Sequence, residues 1–259
     1  ILHQMYQAFY RLRVGVDFVF PEQQDWSGYK VLLVPPLYIA SDELLERVAA
    51  FVHTGGHAVV SFKSGFANEY STVRWQRAPG PLRQAAGFSY QEFSTLAQPV
   101  PLKGDPFNAG QDNRVDVWAE MLLPETCETL AVYDHHFFSR YPAVTRNRHG
   151  RGTLTYEGTY LSGALQEKVM LGVLELAGLA GPDQKLPPPV LVRHGASNAG
   201  RPTRYYLNYS GQPQSFAYPY AAGNEILTGA PVRRDQTLRL APWDLAIIEE
   251  EPGRDVSVG

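Results

Sequence analysis

Three consecutive stretches decide the fold. They are Lys30-Val31-Leu32-Leu33-Val34-Pro35-Pro36, Ser41-Asp42-Glu43-Leu44-Leu45 onward to Gly55-Gly56, and His57-Ala58-Val59-Val60-Ser61-Phe62. The first is a continuous apolar run closed by two prolines, the pattern of a parallel strand buried on both faces. In the second, Leu44, Leu45, Val48, Phe51 and Val52 recur at helical spacing. Ser41 stands where a cap is needed, Asp42 and Glu43 sit in the positive first turn, and Gly55-Gly56 ends the helix. The third is again a strand. Strand, helix and strand with short connections make a βαβ unit, so the expected class is α/β with an open, mostly parallel sheet flanked by helices.

Upstream, Leu2, Met5, Tyr6, Phe9, Leu12 and Val16 repeat at helical spacing, and Val16–Phe20 alternates as a short strand stopped by Pro21. Downstream, a polar loop runs from Lys63 to about Gly80, and Pro81 opens a short helix that ends at Gly87. Val115–Leu123 fits either a strand or a short helix. Thr129–Tyr133, Ala143–Arg146 and Thr153–Glu157 read as strands, the last two joined by the turn Asn147–Gly152. A helix fits Leu161–Leu179. Ala180-Gly181-Pro182 and Pro187-Pro188-Pro189 then flank a stiff linker. Beyond it come short alternating segments: Val190–His194, Thr203–Asn208, Ser215–Tyr218, Glu225–Leu227, Thr237–Leu240 and Leu245–Glu249. They predict a small antiparallel β-sandwich. The expected domains are therefore 1–182 (α/β) and 188–253 (β).

Composition narrows the function classes. Of 259 residues, 44% are hydrophobic, enough for a sizeable core, and the formal net charge is -3. That charge balance argues against a nucleic-acid-binding module, which carries a basic stripe. No apolar run reaches the roughly 18 residues of a membrane span, and no N-terminal signal peptide is legible. Cys127 is the single cysteine, which excludes an internal disulfide and a Cys-rich zinc site and leaves the cytoplasm as the expected compartment. The opening Ile1-Leu2-His3, without an initiator Met, reads as a cut from a longer polypeptide.

An ordered series of short motifs resembles one family. It comprises Val14-Gly15-Val16-Asp17-Phe18-Val19, Leu32–Tyr38, Gly55-Gly56, Ser64-Gly65-Phe66 with Glu69, and Pro79-Gly80-Pro81-Leu82. It continues with Pro142–Asn147, Gly150-Arg151-Gly152 and Gly158-Thr159. In order and spacing the series resembles the assembly domain of family-42 glycoside hydrolases over roughly residues 5–180. Leu227-Thr228-Gly229 and Leu240–Trp243 resemble that family's last domain more loosely. The resemblance implies beta-galactosidases built from a catalytic (β/α)8 barrel, a trimer-forming α/β domain and a small β domain. It implies a flavodoxin-like or class I amidotransferase-like middle domain without amidotransferase chemistry. A barrel needs about 250 residues, so this chain looks like the second and third parts only. The expected function is a non-catalytic oligomerisation and accessory region of a beta-galactosidase-like enzyme that hydrolyses terminal non-reducing beta-D-galactosides with retention. Expected partners are copies of itself in a homotrimer and the barrel of the same polypeptide, with no nucleic acid, membrane, metal or cofactor. The alternative is a stand-alone ligand-binding or carbohydrate-binding protein on a degenerate amidotransferase-like fold.

The candidate chemistry is sparse, and no catalytic residue is assigned. Retaining glycosidases need two facing carboxyl groups, and related barrel enzymes carry the acid in an Asn-Glu pair. Asn68-Glu69 and Asn224-Glu225 are such pairs, but neither sits in a barrel pattern. Asn224-Glu225 follows Gly223 and reads as a β-turn before a strand. Ser64, Gly65, Asn68 and Glu69 lie in the loop after the second strand of the βαβ unit, at the sheet edge where ligands gather. They are the substrate-contact candidates, with a loop-ordering role as the plainer reading. Ser64 lacks a Gly-x-Ser-x-Gly elbow and an evident base, and Cys127 reads as a small, partly buried residue. His135-His136 lacks metal spacing. His149 with Arg146, Arg148 and Arg151 suits an anion or, more plainly, a solvated hairpin tip. Tyr205, Tyr206, Tyr209, Tyr218 and Tyr220 suit either a sugar platform or the half-buried face of a sheet, the second being favoured.

Overall fold

A computed structural model describes residues 1–251 of the chain. The chain divides into two compact units: Ile1–Tyr10 with Val16–Leu179, and Arg11–Gly15 with Ala180–Gly259. Residues 252–253, the end of the expected β domain, lie outside the described residues.

The βαβ unit forms as read. Strand β1 (Val31–Val34), helix α2 (Asp42–His53) and strand β2 (His57–Ser61) follow in order, and β1 pairs with β2 in parallel. Ser41 Oγ accepts from Leu44 N at 3.2 Å, and Asp42 and Glu43 occupy the first turn of α2. Leu45, Val48, Phe51 and Val52 pack into a core with Ala58, Val60, Leu154 and Tyr156.

The central sheet has five strands. Beside β1 and β2 lie Gly152–Glu157, Pro142–His149 and Glu128–Val132, in that order. Gly152–Glu157 is parallel to β2, but the remaining two pairings are antiparallel. The sheet is thus mixed, with half of its pairings parallel instead of most of them. The physical reason is local: His149 pairs with Gly152 across Gly150-Arg151, with Gly150 at φ 61°, and so short a turn can join only antiparallel strands. Val115–Leu123 resolves as a strand, Arg114–Glu120, in a smaller antiparallel sheet with Phe93–Thr95 and Thr159–Leu161. Helix α3 (Arg83–Ala86) ends at Gly87, whose φ of 72° is the left-handed stop read from the sequence. Helix α4 (Gly163–Leu176) is capped by Ser162 and buries Leu165, Val169, Met170 and Val173.

Two expectations near the N-terminus fail. Helix α1 spans Leu2–Arg11 and stops well short of Val16. Arg13 takes a left-handed φ of 62°, and its guanidinium donates to the carbonyls of Leu186, Pro187 and Val190. Three carbonyls gathered by one buried cation outweigh one more helical turn. Val16–Phe20 forms no strand. Among the described residues its alternation found no partner strand, so no ladder satisfies its backbone.

Among its described residues the second unit is β apart from one 3-10 turn, Pro182–Lys185. A five-stranded antiparallel sheet holds Val190–Ala196, Pro202–Asn208, Leu245–Glu250, Gly223–Glu225 and Pro231–Val232, and Gln214–Ala217 pairs with Thr237–Leu240. Val190, Val192, Tyr206, Phe216, Tyr218 and Ile248 fill the core they share.

Candidate functional site

The loop leaving β2 is held by several side-chain hydrogen bonds. Its apex is Lys63, at φ 60°, a conformation that side chains other than Gly rarely adopt. The Lys63 backbone N–H donates to Glu120 Oε1 at 2.7 Å, and the Lys63 ammonium lies 3.8 Å from the ring centroid of Trp118. Glu120 is fully buried and also accepts from the Tyr156 hydroxyl at 2.8 Å and Trp118 Nε1 at 3.4 Å. Burial pushes its pKa up to about 7, against the pull of those hydrogen bonds. Glu157, paired with Ser61 across the sheet, is likewise buried. It accepts from Gln166 Nε2 at 2.5 Å, and burial pushes its pKa up to about 8. Both carboxyl groups are sealed from solvent, so neither meets a substrate.

Two of the four loop candidates, Ser64 and Asn68, hold the backbone. Ser64 is fully buried; its hydroxyl donates to Ser61 O at 2.7 Å and accepts from Leu37 N at 3.1 Å. Such a hydroxyl has no free path to an electrophile. Gly65, at φ 73°, has no room for a side chain, because a Cβ there would lie 2.7 Å from Pro79 O. Asn68 Oδ1 accepts from Tyr70 N at 3.1 Å and Thr72 N at 3.0 Å, an Asx-type turn. Glu69 is exposed beside it.

Sequence reasoning passed over the residues that dominate this surface. Arg74, whose side chain is 5% exposed, donates to Ala40 O at 2.7 Å, to Ala67 O, and to Asp42 Oδ1. It pins the loop against the start of α2. The pinned loop presents Tyr70 and Trp75 to solvent at 80% and 91% exposure. In the same unit an aromatic chain runs from Tyr38 to Phe66 (centroids 5.3 Å apart), to Phe93 (5.8 Å) and to Trp118 (4.6 Å). A shallow cavity of about 180 Å³ is lined by Gly65, Phe66, Arg74, Trp75 and Tyr90. The available signal was the spacing Tyr70, Val73, Trp75, large apolar residues in a loop that has neither helical nor strand period.

The other candidates stay dispersed. Glu225 accepts from Thr228 N at 2.7 Å, Thr228 Oγ1 at 2.6 Å, Leu227 N at 3.2 Å and Ile247 N at 3.1 Å. Burial raises its pKa, but these bonds prevail and leave it lowered. It organises a turn that follows its strand; Asn224-Glu225 closes the short strand Gly223–Glu225 instead of preceding one. Cys127 is half-buried at the core margin, and burial pushes its thiol up. The His135 and His136 rings lie 4.4 Å apart, and among the described residues no group of three or more His, Cys, Asp or Glu gathers as metal ligands do. Arg146 donates to Thr155 Oγ1 and Arg151 to Thr54 O, while His149 packs on His53, so these groups do not converge on one anion. Tyr206 and Tyr218 are core residues, Tyr220 donates to Asp183 at 2.8 Å, and Tyr205 and Tyr209 are exposed.

The family profile described as the beta-galactosidase trimerisation domain matches residues 1–180, which include this loop. This chain belongs to the beta-galactosidase trimerisation domain family. Beta-galactosidase BgaB of a Geobacillus species is 35% identical over 164 residues, covering 62% of this chain and 23% of that protein. Beta-galactosidase BglY of Alicyclobacillus acidocaldarius is 28% identical over 255 residues, 96% of this chain and 36% of that protein. Among solved structures, the beta-galactosidase of Bacillus circulans sp. alkalophilus superposes with a TM-score of 0.83 at 25% identity, covering 96% of this chain and 37% of that one. The GH42 beta-galactosidase Gan42B of G. stearothermophilus shares the fold, with a TM-score of 0.83 at 22% identity. The chain thus spans between just under a quarter and somewhat over a third of these relatives' lengths. Among the described residues of this trimerisation-domain chain, no helix is long and apolar enough to cross a membrane.

Proposed function

We propose that this chain is the non-catalytic assembly and accessory part of a beta-galactosidase-like glycoside hydrolase. One observation carries the reading: the trimerisation-domain match over residues 1–180 in a chain that covers only 23% to 36% of its named beta-galactosidase relatives. The sealed Glu120 and Glu157 and the engaged Ser64 support it, since they leave the best-placed acids and nucleophile without access to a substrate. The parent enzyme would hydrolyse terminal non-reducing beta-D-galactosides with retention. Its catalytic barrel would be part of the same polypeptide, and the assembly a homotrimer closed by rotation. We read 1–182 as the trimer-forming domain, with an amidotransferase-like arrangement supported by the parallel trio of strands and the positive-φ turn at Lys63, and 188–253 as the small β domain.

Analytical ultracentrifugation of the 28.9 kDa chain tests the assembly role. A species of three times that mass is expected, together with no turnover of a nitrophenyl beta-galactoside. A strict monomer at high concentration, or turnover that Glu69→Ala abolishes, overturns the reading. The cavity beside Trp75 favours a second reading, a sugar-binding surface; galactose-dependent quenching of tryptophan fluorescence would support that alternative.

A further inference from the structure

We infer that the face formed by Tyr38, Ile39, Tyr70, Val73, Trp75 and Phe93 is a contact through which a second copy of this chain docks. The inference rests on the assembly reading above and names its surface. All six side chains are exposed large hydrophobics, and all lie within the residues matched by the trimerisation-domain profile. The chain pairs Ile39 with Ala67 and Ala67 with Val73 in consecutive bridges, and Tyr38 stacks on Phe66, which meets Phe93 edge-on. Trp75 lines one cavity with Phe66 and Val73, and Tyr70 stands on the turn that Asn68 closes between Ala67 and Val73. Monomeric proteins seldom leave apolar surface of this kind uncovered.

Area and rigidity point to a protein copy as occupant. From their exposures, the six side chains leave on the order of 700 Å² of accessible surface, close to the ~800 Å² each partner contributes to a standard interface. The face is also built in advance. Arg74 ties the loop to the carbonyls of Ala40 and Ala67, and Asn68 closes the turn that carries Tyr70. Glu120 fixes the Lys63 apex. Val117, a β-branched residue, is held at φ 63° beside Trp118, a strain that persists only where surroundings impose it. A loop ordered before contact loses little entropy on docking, and exposed Trp and Tyr on such a loop have the character of interface hot spots. In a cyclic trimer the contact is heterologous, so this face meets a different surface of the neighbouring copy.

The test compares the 259-residue chain with Trp75→Ser, Tyr70→Ser, Trp75→Phe and a control, Phe20→Ser, on the exposed segment after α1. Sedimentation gives the dissociation constants, circular dichroism checks the fold, and hydroxyl-radical footprinting reads Trp75 directly in the unmutated chain. Trp75→Ser and Tyr70→Ser should each weaken assembly by at least about tenfold, while Trp75→Phe and Phe20→Ser assemble as the parent does. Trp75 should be protected from labelling at concentrations where the trimer forms. A trimer that survives both serine substitutions, with Trp75 still labelled, overturns the face while leaving the assembly role standing. It would assign the surface to another occupant, such as the rest of a longer polypeptide. A parent chain that never self-associates overturns both.

Discussion

Gly65 shows how a single residue fixes the geometry of the loop. Its φ of 73° and the 2.7 Å approach of Pro79 O to the Cβ position leave room only for hydrogen. Gly65→Ala should therefore destabilise the chain by about 2 kcal/mol or more, read as a shift of the urea midpoint; an unchanged midpoint would refute this account. Arg74 works by hydrogen bonding. Removing its guanidinium leaves the carbonyls of Ala40 and Ala67 without that donor, so Arg74→Ala should cost about 2 kcal/mol. It should also speed proteolytic cleavage within the Lys63–Gly80 loop, and equal cleavage rates would show the loop is held by something else. Of these two residues, Gly65 was legible in the sequence as part of a motif. Arg74 was not, because Ala40 and Asp42, which supply two of its acceptors, lie 34 and 32 residues away in the chain.

At the scale of elements, the cap at Ser41 was readable because its signal is local, whereas Ser162 lay inside the helix expected over Leu161–Leu179. Ser41 and Ser162 stand at the N-caps of α2 and α4, each accepting from the backbone N–H three residues on. Ser41→Ala should cost about 1 kcal/mol. Ser162→Ala should cost more, since that hydroxyl also donates to Asp112 O at 2.6 Å. Equal losses in thermal melts would show that the second bond contributes nothing. Elements that depend on distant partners were less readable. Val16–Phe20 alternates as a strand does, yet among the described residues no strand pairs with it. Arg114–Glu120 was ambiguous until its partners at Phe93–Thr95 and Thr159–Leu161 were brought alongside.

For the whole molecule, the two sealed carboxyl groups set a pH dependence. In the unfolded chain both titrate near 4.5, and in the folded chain at about 7 and about 8. The native state therefore holds their protons more tightly. Their contribution is complete below pH 4.5 and is lost as pH rises through about 7 and 8, by roughly 3 kcal/mol for Glu120 alone. The urea midpoint should fall between pH 5 and pH 8.5, and Glu157→Gln should flatten that fall. A midpoint that rises over the same interval would contradict the assigned ionisation. The lowered pKa of Glu225 acts in the opposite sense, its contribution being lost as pH falls through its folded-state value.

The sequence by itself determined the βαβ unit with its Ser41 cap, the alternating strands of the second unit and the family resemblance. These depend on periodicity and on residues close together in the chain. Only the tertiary structure decided that the sheet is mixed, that Ser64 and Asn68 serve the backbone, and that Glu120 lies sealed beneath Lys63. It also decided that Tyr70 and Trp75 stand out on a pinned loop. Those outcomes depend on which distant segments meet, and burial, unlike hydrophobicity, is a property of that meeting.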